Sequence, residues 1–372
     1  MEYIWLKDIE SNLLDFMSSL KKDQFSFYPV KKGLTKDGEK LNLGMSCYAL
    51  KIYYITGNWE ALTKEEREEW GVYINSFQDS IQNFPSNSYV DRNYLQAYMN
   101  GSYLSEIKNM IKKFFNLFKK NKYQLKEERL KNFIKAESKQ AMSTLHQVGL
   151  KSEKKYENQY QSPEDICNYL NNLDWSKPWD AGAQFAAMCV FASIQNKESF
   201  SAGASIEELK QFAHSIVDSE TGAFFKGRQP NEKELINGAM KVITGLDWIN
   251  ESVPFPEKLI DTCLSIEPHE EGCDIVDAVY VLYMCSKITN YKNEEIKEYF
   301  KNVLEKIEKH FFRNEGGFSY FVNMSQTSYY GVKISKGENT PDIHGTVLLT
   351  WAISMISELI KLPTSNWKVL KP

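Results

Sequence analysis

The sequence predicts an all-α protein in which about six inner and about six outer helices form one α/α toroid over residues 1–372. Two observations lead to this fold class: helices with two different hydrophobic patterns alternate along the chain, and one short unit recurs. A third supports it, because no persuasive βαβ pattern occurs and no linker rich in Pro, Gly or Ser divides the chain. We therefore expect a single domain.

The predicted outer helices are amphipathic. Residues 293–312 carry apolar side chains at helical spacing along one stripe, and the other positions are largely Lys, Glu and Asn. Residues 205–217 and 104–120 follow the same pattern. A helix of this kind buries one face and exposes the other to water, so these segments are expected at the outside.

The predicted inner helices are apolar on most faces, so they have to be buried on most sides. They are residues 42–57, 180–194, 237–249, 273–288 and 342–356, with 137–149 as a weaker copy and 87–100 as the doubtful member. Each of the clearer ones opens with Asp or Asn, whose side chain can accept the free amides of a first helical turn. The residues in that position are Asn42, Asp180, Asn237, Asp274 and Asp342.

A short unit recurs along the chain: aromatic residues, then a loop, then a helix that starts with small residues. The three copies read "FSFYPV…LNLGMSCYAL", "GAFFKG…INGAMKVITGL" and "GGFSYF…DIHGTVLLTW". Self-similarity of this kind indicates a repeat architecture. The irregular spacing of the copies fits a regular solenoid badly and a toroid better.

Composition excludes several classes of protein. A net charge of −4 gives no general attraction to nucleic acid. The N-terminal segment mixes charges with apolar residues, unlike a signal peptide, and no run of 18 apolar residues occurs. The six cysteines include no CxxC pair, which favours reduced thiols and a cytoplasmic location.

The last copy of the unit resembles the repeat of the terpenoid cyclase and protein prenyltransferase superfamily. The resemblance lies in Gly-Gly-Phe at 316–318 and in Asp-x-His-Gly-Thr at 342–346, which leads an apolar helix. It implies an α/α toroid whose funnel holds an isoprenoid. In that family, protein prenyltransferases hold zinc through an Asp, a Cys two residues away and a later His.

The zinc pattern is altered in this chain. Cys273 directly precedes Asp274, and His344 follows at the start of a later helix. Adjacent residues rarely converge on one ion, and zinc needs three protein ligands at about 2.0–2.3 Å. We expect neither zinc nor another cofactor. Activation would then depend on carboxylates and on His344, whose ordinary pKa of about 6.5 suits acid/base work.

Two carboxylates stand on one face of a predicted inner helix. Asp274 and Asp277 are three residues apart, and the DxDD motif of class II terpene cyclases is absent. Paired carboxylates can separate their pKa values, so that one remains a proton donor near neutral pH. The structural alternative is that Asp274 caps the helix and Asp277 faces the helix dipole.

The starts of the inner helices define a predicted site, because in a toroid they meet at one end. His344 either binds or transforms a ligand there or is a structural histidine, and Asp342 is expected to cap its helix. Asp277, His344 and Asp274 are the candidate catalytic residues. The candidate substrate-binding residues are Asp180, Asn237, Trp179, Phe224, Phe318 and Tyr320. Aromatic walls could stabilise a carbocation or stack on sugars.

Three functions fit this sequence. The first is acid/base chemistry on an isoprenoid or another extended hydrophobic substrate. The second is a glycan-active hydrolase, lyase or epimerase that uses two carboxylates. The third is a non-catalytic binding or scaffold toroid. The lysine-rich segment 107–122 is best interpreted as an outer helix with a solvated basic edge, and contact with an anionic membrane surface is the alternative.

Overall fold

The computed structural model describes residues 3–100, 103–116, 125–157, 162–196 and 203–372. Within these ranges the chain is mostly helical, which confirms the predicted all-α class. The α-helices are α1 (Ile9–Leu20), α2 (Leu43–Ile55), α3 (Lys64–Asn75), α4 (Arg92–Met99), α5 (Tyr103–Asn116), α6 (Lys126–Gln147), α7 (Pro163–Asn171), α8 (Pro178–Asn196), α9 (Gly203–Ile216), α10 (Glu232–Trp248), α11 (Pro256–Leu264), α12 (Gly272–Ser286), α13 (Asn293–Glu308) and α14 (Ile343–Leu359).

Three short antiparallel hairpins order the loops between helices. They pair β1 (Gln78–Asp79) with β2 (Ser88–Tyr89), β3 (Phe311–Phe312) with β4 (Gly317–Phe318), and β5 (Ser328–Tyr329) with β6 (Val332–Lys333). The last two hairpins lie between α13 and α14. The hairpin of β3 and β4 includes the first part of the GGFSYF sequence, and the hairpin of β5 and β6 lies in the loop between that sequence and α14.

Six helices contact one another in a cyclic order. Helix α2 contacts α6, α6 contacts α8, α8 contacts α10, α10 contacts α12, α12 contacts α14, and α14 contacts α2 again. We call these six the ring helices. They include every segment that the sequence marked as clearly apolar on most faces. The doubtful segment 87–100 forms the short helix α4, which is not one of them.

The two kinds of helix predicted from the sequence differ in burial as expected. In α12, 12 of 15 residues are buried, whereas in α13 only 5 of 16 are buried, all on one stripe. Helix α13 packs against α12 and α14, and α11 packs against α12. The amphipathic helices thus cover ring helices with one face and meet water with the other.

The predicted helix starts need correction in three places. Asp342 does cap α14, because its Oδ1 accepts the amide of Gly345 at 2.7 Å. However, α10 begins at Glu232, where Asn231 is the cap, so Asn237 lies inside the helix. Asp180 and Asp274 are each the third residue of their helices rather than the cap. The sequence pattern marked where burial begins, which is later than where helical hydrogen bonding begins.

Helix α5 carries an exposed apolar face. The side chains of Met110, Ile111, Phe114 and Phe115 are between 45% and 60% exposed. Residues 117–122, which complete the lysine-rich segment, lie outside the described residues. In the part of the chain that is described, no helix combines the length and the apolar character needed to cross a bilayer.

Candidate functional site

A cavity of about 480 Å³ lies between the ring helices. All six ring helices contribute to its wall, and the loop around β5 and β6 closes one side. We call it the central cavity. Its volume lies within the range of about 300–1,000 Å³ that is typical of small-molecule sites. Its ionisable lining residues are Lys51, Arg129, Lys139, Asp180, Lys241, Cys273, Asp277, Tyr48, Tyr329, Tyr330 and His344.

Three lysines from three ring helices face the central cavity: Lys51 of α2, Lys139 of α6 and Lys241 of α10. All three are partly buried, and none has a hydrogen bond or salt bridge to another described residue. Burial lowers the pKa of Lys51 to about 8, and the charge of Lys241 contributes to this shift. Burial is the main effect that holds the pKa of Lys139 well below its usual range, and the charges of Lys51 and Lys241 contribute to the shift. The cavity is therefore electropositive and short of counter-charge.

Asp277 is the one carboxyl of the described chain that lies deep in the central cavity. Its side chain is 1% exposed, and its Oδ2 atom has no hydrogen-bond partner among the described residues. Burial raises the pKa of Asp277 to about 7, an effect that the charge of Lys241 partly offsets. A substantial fraction of the protein therefore carries Asp277 as a neutral acid at physiological pH. A carboxyl in that state can donate a proton.

Asp274, the partner predicted for Asp277, has a different environment. Its Oδ1 accepts a hydrogen bond from Nδ2 of Asn237 at 2.8 Å, and Nζ of Lys233 lies 3.0 Å from its Oδ2. Lys233 also reaches Oε2 of Glu271 at 3.1 Å. Neither Asp274 nor Asn237 belongs to the cavity wall. This network ties α10 to α12 behind the wall, and it leaves Asp277 to face the cavity alone.

His344 lies between two aromatic rings at the start of α14. Its ring stacks on Tyr48 and on Tyr320, with centroids 4.8 Å and 5.3 Å away. Nδ1 lies 2.8 Å from Oε1 of Gln326, an acceptor, so Nδ1 carries the proton and Nε2 is left as an acceptor. Burial lowers the pKa of His344 to about 3, and Lys241 and Lys51 add to the effect. The imidazolium form is therefore unavailable at neutral pH, contrary to what the ordinary pKa suggested.

The remaining predicted site residues lie either at the rim of the central cavity or in the hydrophobic core. Asp180 is exposed and Trp179 is partly buried, and both lie on the cavity wall at the start of α8. Phe224 and Phe318 are fully buried and contribute to the hydrophobic core instead. Tyr320 is 8% exposed and does not line the cavity, but its side chain contacts two wall residues, His344 by stacking and Cys273. The alternation of aromatics before an inner helix thus reflects packing at Phe224 and Phe318.

Asp342 connects the two halves of the GGFSYF…DIHGT sequence. Its Oδ2 accepts the backbone amides of Tyr320 at 2.7 Å and of Gln326 at 3.0 Å, in addition to the cap to Gly345. The hydroxyl of Thr346 accepts the amide of Phe318 at 3.0 Å. These bonds fix the loop and the first turn of α14 relative to each other. They therefore position both His344 and its partner Gln326.

A second buried carboxyl stands behind the cavity wall. Glu137 of α6 is 1% exposed, and its Oε1 accepts a hydrogen bond from the hydroxyl of Tyr329, a wall residue. Burial raises the pKa of Glu137 to about 8, although the bond from Tyr329 opposes the shift. A protonated Glu137 can hold Tyr329 in place without adding a negative charge beside the lysines.

The thiol of Cys273 faces the central cavity, and it does not belong to a metal-binding cluster. Burial, together with the charge of Asp277, raises the pKa of Cys273 to about 12, so the thiol keeps its proton. Across the described ranges, no three His, Cys, Asp or Glu side chains are grouped so that they could hold an ion. All six cysteines have free thiols. The absence of a functional metal stays a prediction.

Sequence reasoning missed the three cavity lysines, although a signal for them exists. Lys51 is the single charged residue of α2, and Lys241 is the single charge between Ile236 and Leu246 of α10. A lone lysine in a helix that is buried on most sides has to face either a cavity or a buried partner. Lys139 is harder to detect, because the first half of α6 is rich in charges.

Comparison of the chain with protein-family models, with curated proteins and with solved structures gives no match. The resemblance to the terpenoid cyclase and prenyltransferase repeat therefore rests on the quoted residues alone. What the site does has to be argued from its own geometry.

Proposed function

We propose that the ring helices and the helices around them form an α/α toroid. The cyclic order of contacts, from α2 through α6, α8, α10, α12 and α14 back to α2, supports this arrangement. So does the central cavity, because a closed ring of helices leaves its middle to be filled by side chains or by a ligand.

We infer that the protein is an enzyme and that Asp277 is its proton donor. The observation that carries this proposal is a buried carboxyl without a hydrogen-bond partner on the wall of a cavity, with a pKa raised by burial to about 7. Leaving such a group unsatisfied is costly to folding, and groups of this kind concentrate at catalytic sites. A structural role would instead have supplied partners, as Asn237 and Lys233 do for Asp274.

The proposed substrate is an isoprenoid or a similarly extended molecule with alkene groups. Support comes from the apolar and aromatic part of the wall, which includes Tyr48, Phe133, Met240, Val347 and Trp351. Proton transfer from Asp277 to an alkene would break the O–H bond and form a C–H bond. The resulting carbocation would lose a proton from a neighbouring carbon to the Asp277 carboxylate, which restores the acid. Aromatic rings stabilise positive charge that develops next to their faces.

The two other functions have less support. A glycosidase needs two carboxyls about 5–10 Å apart across the scissile bond. Asp274 is held by its own network, and Asp180 is exposed at the rim. A scaffold with no chemistry would be expected to fill its centre, whereas the central cavity is open and carries unpaired charges.

Deuterium incorporation tests the proposed function. The full chain is incubated in D₂O with farnesol, geranylgeraniol, the diphosphate esters of these two alcohols, and squalene, and products are analysed by mass spectrometry. Protonation by Asp277 predicts rearranged products that carry one deuterium from solvent. Asp277→Asn should abolish them, and Asp37→Asn, at an exposed loop position, should not. The proposal fails if wild type incorporates no deuterium into any substrate, or if Asp277→Asn remains as active as wild type.

A further inference from the structure

The central cavity contains more basic side chains than nearby carboxylates can neutralise. Lys233, a partly buried lysine that does not line the cavity, is paired with both Asp274 and Glu271. The lysines inside the cavity, Lys51, Lys139 and Lys241, have no carboxylate within salt-bridge distance in the described part of the chain. Lys233, outside the wall, therefore has carboxylate partners, whereas the three lysines inside the cavity have none among the described residues.

Other charged groups that face the cavity do not cancel this excess. Arg129 adds a further positive charge at the exposed rim, and His344 is held neutral. Asp180 is exposed to water, which screens its charge. Asp277 is the one deep acid of the described wall, and it is protonated in much of the population. At most one fixed side-chain negative charge stands against three lysines. Burial and mutual repulsion lower the pKa of Lys51 and of Lys139, so these two lysines lose part of their charge without an anion, and a bound anion would restore it.

Unpaired, partly buried ammonium groups destabilise a fold, because they lose hydration and repel one another. Such an arrangement is expected where a bound anion supplies the missing charge. The three lysines come from α2, α6 and α10, so they approach the cavity from different sides rather than along one helix. The charge of Lys241 acts on both Lys51 and Lys139, and that of Lys51 acts on Lys139, so the three ammonium groups lie near one another.

We propose that the central cavity binds a phosphate or diphosphate group through Lys51, Lys139 and Lys241, with Arg129 at the entrance. A tetrahedral phosphate group offers at least three oxygens, one for each lysine, and it carries up to two negative charges. A carboxylate offers two oxygens and a single charge, so it matches three ammonium groups less well.

This inference rests on the lysines and their lack of partners, and it stands whether or not Asp277 transfers a proton. It also constrains the proposed function. A carbocation would be repelled by those of the lysines that are protonated, so alkene protonation in this cavity requires an anion that offsets their charge. A substrate that carries its own phosphate group would meet both requirements.

Calorimetric titration of the full chain at low salt tests the proposal, with inorganic phosphate, inorganic diphosphate and citrate as probes. We expect saturable binding of phosphate or diphosphate. Each of Lys51→Met, Lys139→Met and Lys241→Met should weaken it at least tenfold. Lys131→Met removes an exposed lysine from the same helix as Lys139 and should change the affinity less than twofold. Absence of binding, equal weakening by Lys131→Met, or binding of citrate alone would each overturn the proposal.

Melting temperatures without any added anion give a second readout that does not depend on finding the physiological ligand. If the lysines repel one another in the empty cavity, Lys139→Met should melt at a higher temperature than wild type, and phosphate should narrow the gap. A lysine with a merely structural role would lower the melting temperature when removed, and that result would contradict the proposal. Asp277→Asn should keep phosphate binding, so loss of deuterium transfer and loss of anion binding can be told apart.

Discussion

Nδ2 of Asn237 donates a hydrogen bond to Oδ1 of Asp274 at 2.8 Å, and this bond separates the roles of two carboxyls three residues apart. Asp274, which also has Lys233 beside it, is held as part of the contact between α10 and α12. Asp277 receives no such partner, and its environment raises its pKa. The pair on one helical face is therefore divided into a structural member and a candidate acid.

Replacing Asp277 by Asn should change how stability depends on pH. Folding raises the pKa of Asp277 from 3.8 to about 7, so between these values the folded state keeps a proton that the unfolded state has released. The contribution of Asp277 to stability is thus fully present below pH 3.8 and is lost as the pH rises towards 7. Urea titrations should show the variant gaining stability relative to wild type over this interval. A difference between Asp277→Asn and wild type that is constant with pH would show that Asp277 has an ordinary pKa.

Replacing Asp342 by Ala should destabilise the fold strongly. The substitution removes the acceptor of three backbone amides, those of Tyr320, Gln326 and Gly345. Each unsatisfied amide costs about 1–3 kcal/mol, so we expect a loss of about 3–5 kcal/mol in the free energy of unfolding. Chemical denaturation measures this loss. Asp37→Ala removes an exposed Asp from a cap position that makes no side-chain cap bond, and it should change stability by less than about 0.5 kcal/mol. Equal effects of the two variants would refute the role given to Asp342.

Gly345 is required because the loop before α14 passes directly over it. A Cβ atom at this position would lie 2.3 Å from the backbone nitrogen of Tyr320 and 2.4 Å from the carbonyl carbon of Ser319. We expect Gly345→Ala to cost more than about 3 kcal/mol or to prevent folding, because backbone atoms on both sides would have to move. Gly272 in the first turn of α12 is a matched control, since a Cβ there would meet its nearest neighbours at 3.5 Å. Thermal melting of both alanine variants provides the comparison, and a tolerated Gly345→Ala would contradict the packing described.

The imidazole of His344 should stay neutral over the physiological range. Burial and the nearby lysines lower its pKa to about 3, and its Nδ1 proton is shared with Gln326. Nitrogen-15 spectra of histidine-labelled protein should show a protonated Nδ1 and an unprotonated Nε2, unchanged between about pH 5 and pH 8, where an ordinary histidine titrates. Comparison with His344→Gln assigns the signals. A titration midpoint near 6.5 would restore His344 as a proton donor.

The parts of the fold that were predictable are those that hydrophobic pattern alone determines. Burial on all sides distinguished α12 and α14 from the one-sided α13, and the Asp at 342 was correctly taken as a cap. Helix starts such as that of α10 were misplaced, because polar first turns carry no burial signal and Asn231 competes with Asn237 as a cap.

The candidate site was predictable only in part. Spacing placed Asp274 and Asp277 on one face, but it could not show that Lys233 and Asn237 would engage only the first of them. Such partners come from another helix, and one sequence does not reveal which helices become neighbours. The same limit hid the convergence of Lys51, Lys139 and Lys241, which are far apart along the chain. It also hid the low pKa of His344, which burial causes and to which Lys241 and Lys51 contribute.

The central claim is that Asp277 is a proton donor in the cavity, and the most direct test is to measure its pKa. Carbon-13 spectra of protein labelled at the aspartate carboxyl carbon, compared with those of Asp277→Asn, isolate the signal of this one residue. We predict a titration midpoint of about 7. A midpoint near the ordinary value of about 3.9 would mean that Asp277 is ionised throughout the physiological range, and it would contradict the proposed acid.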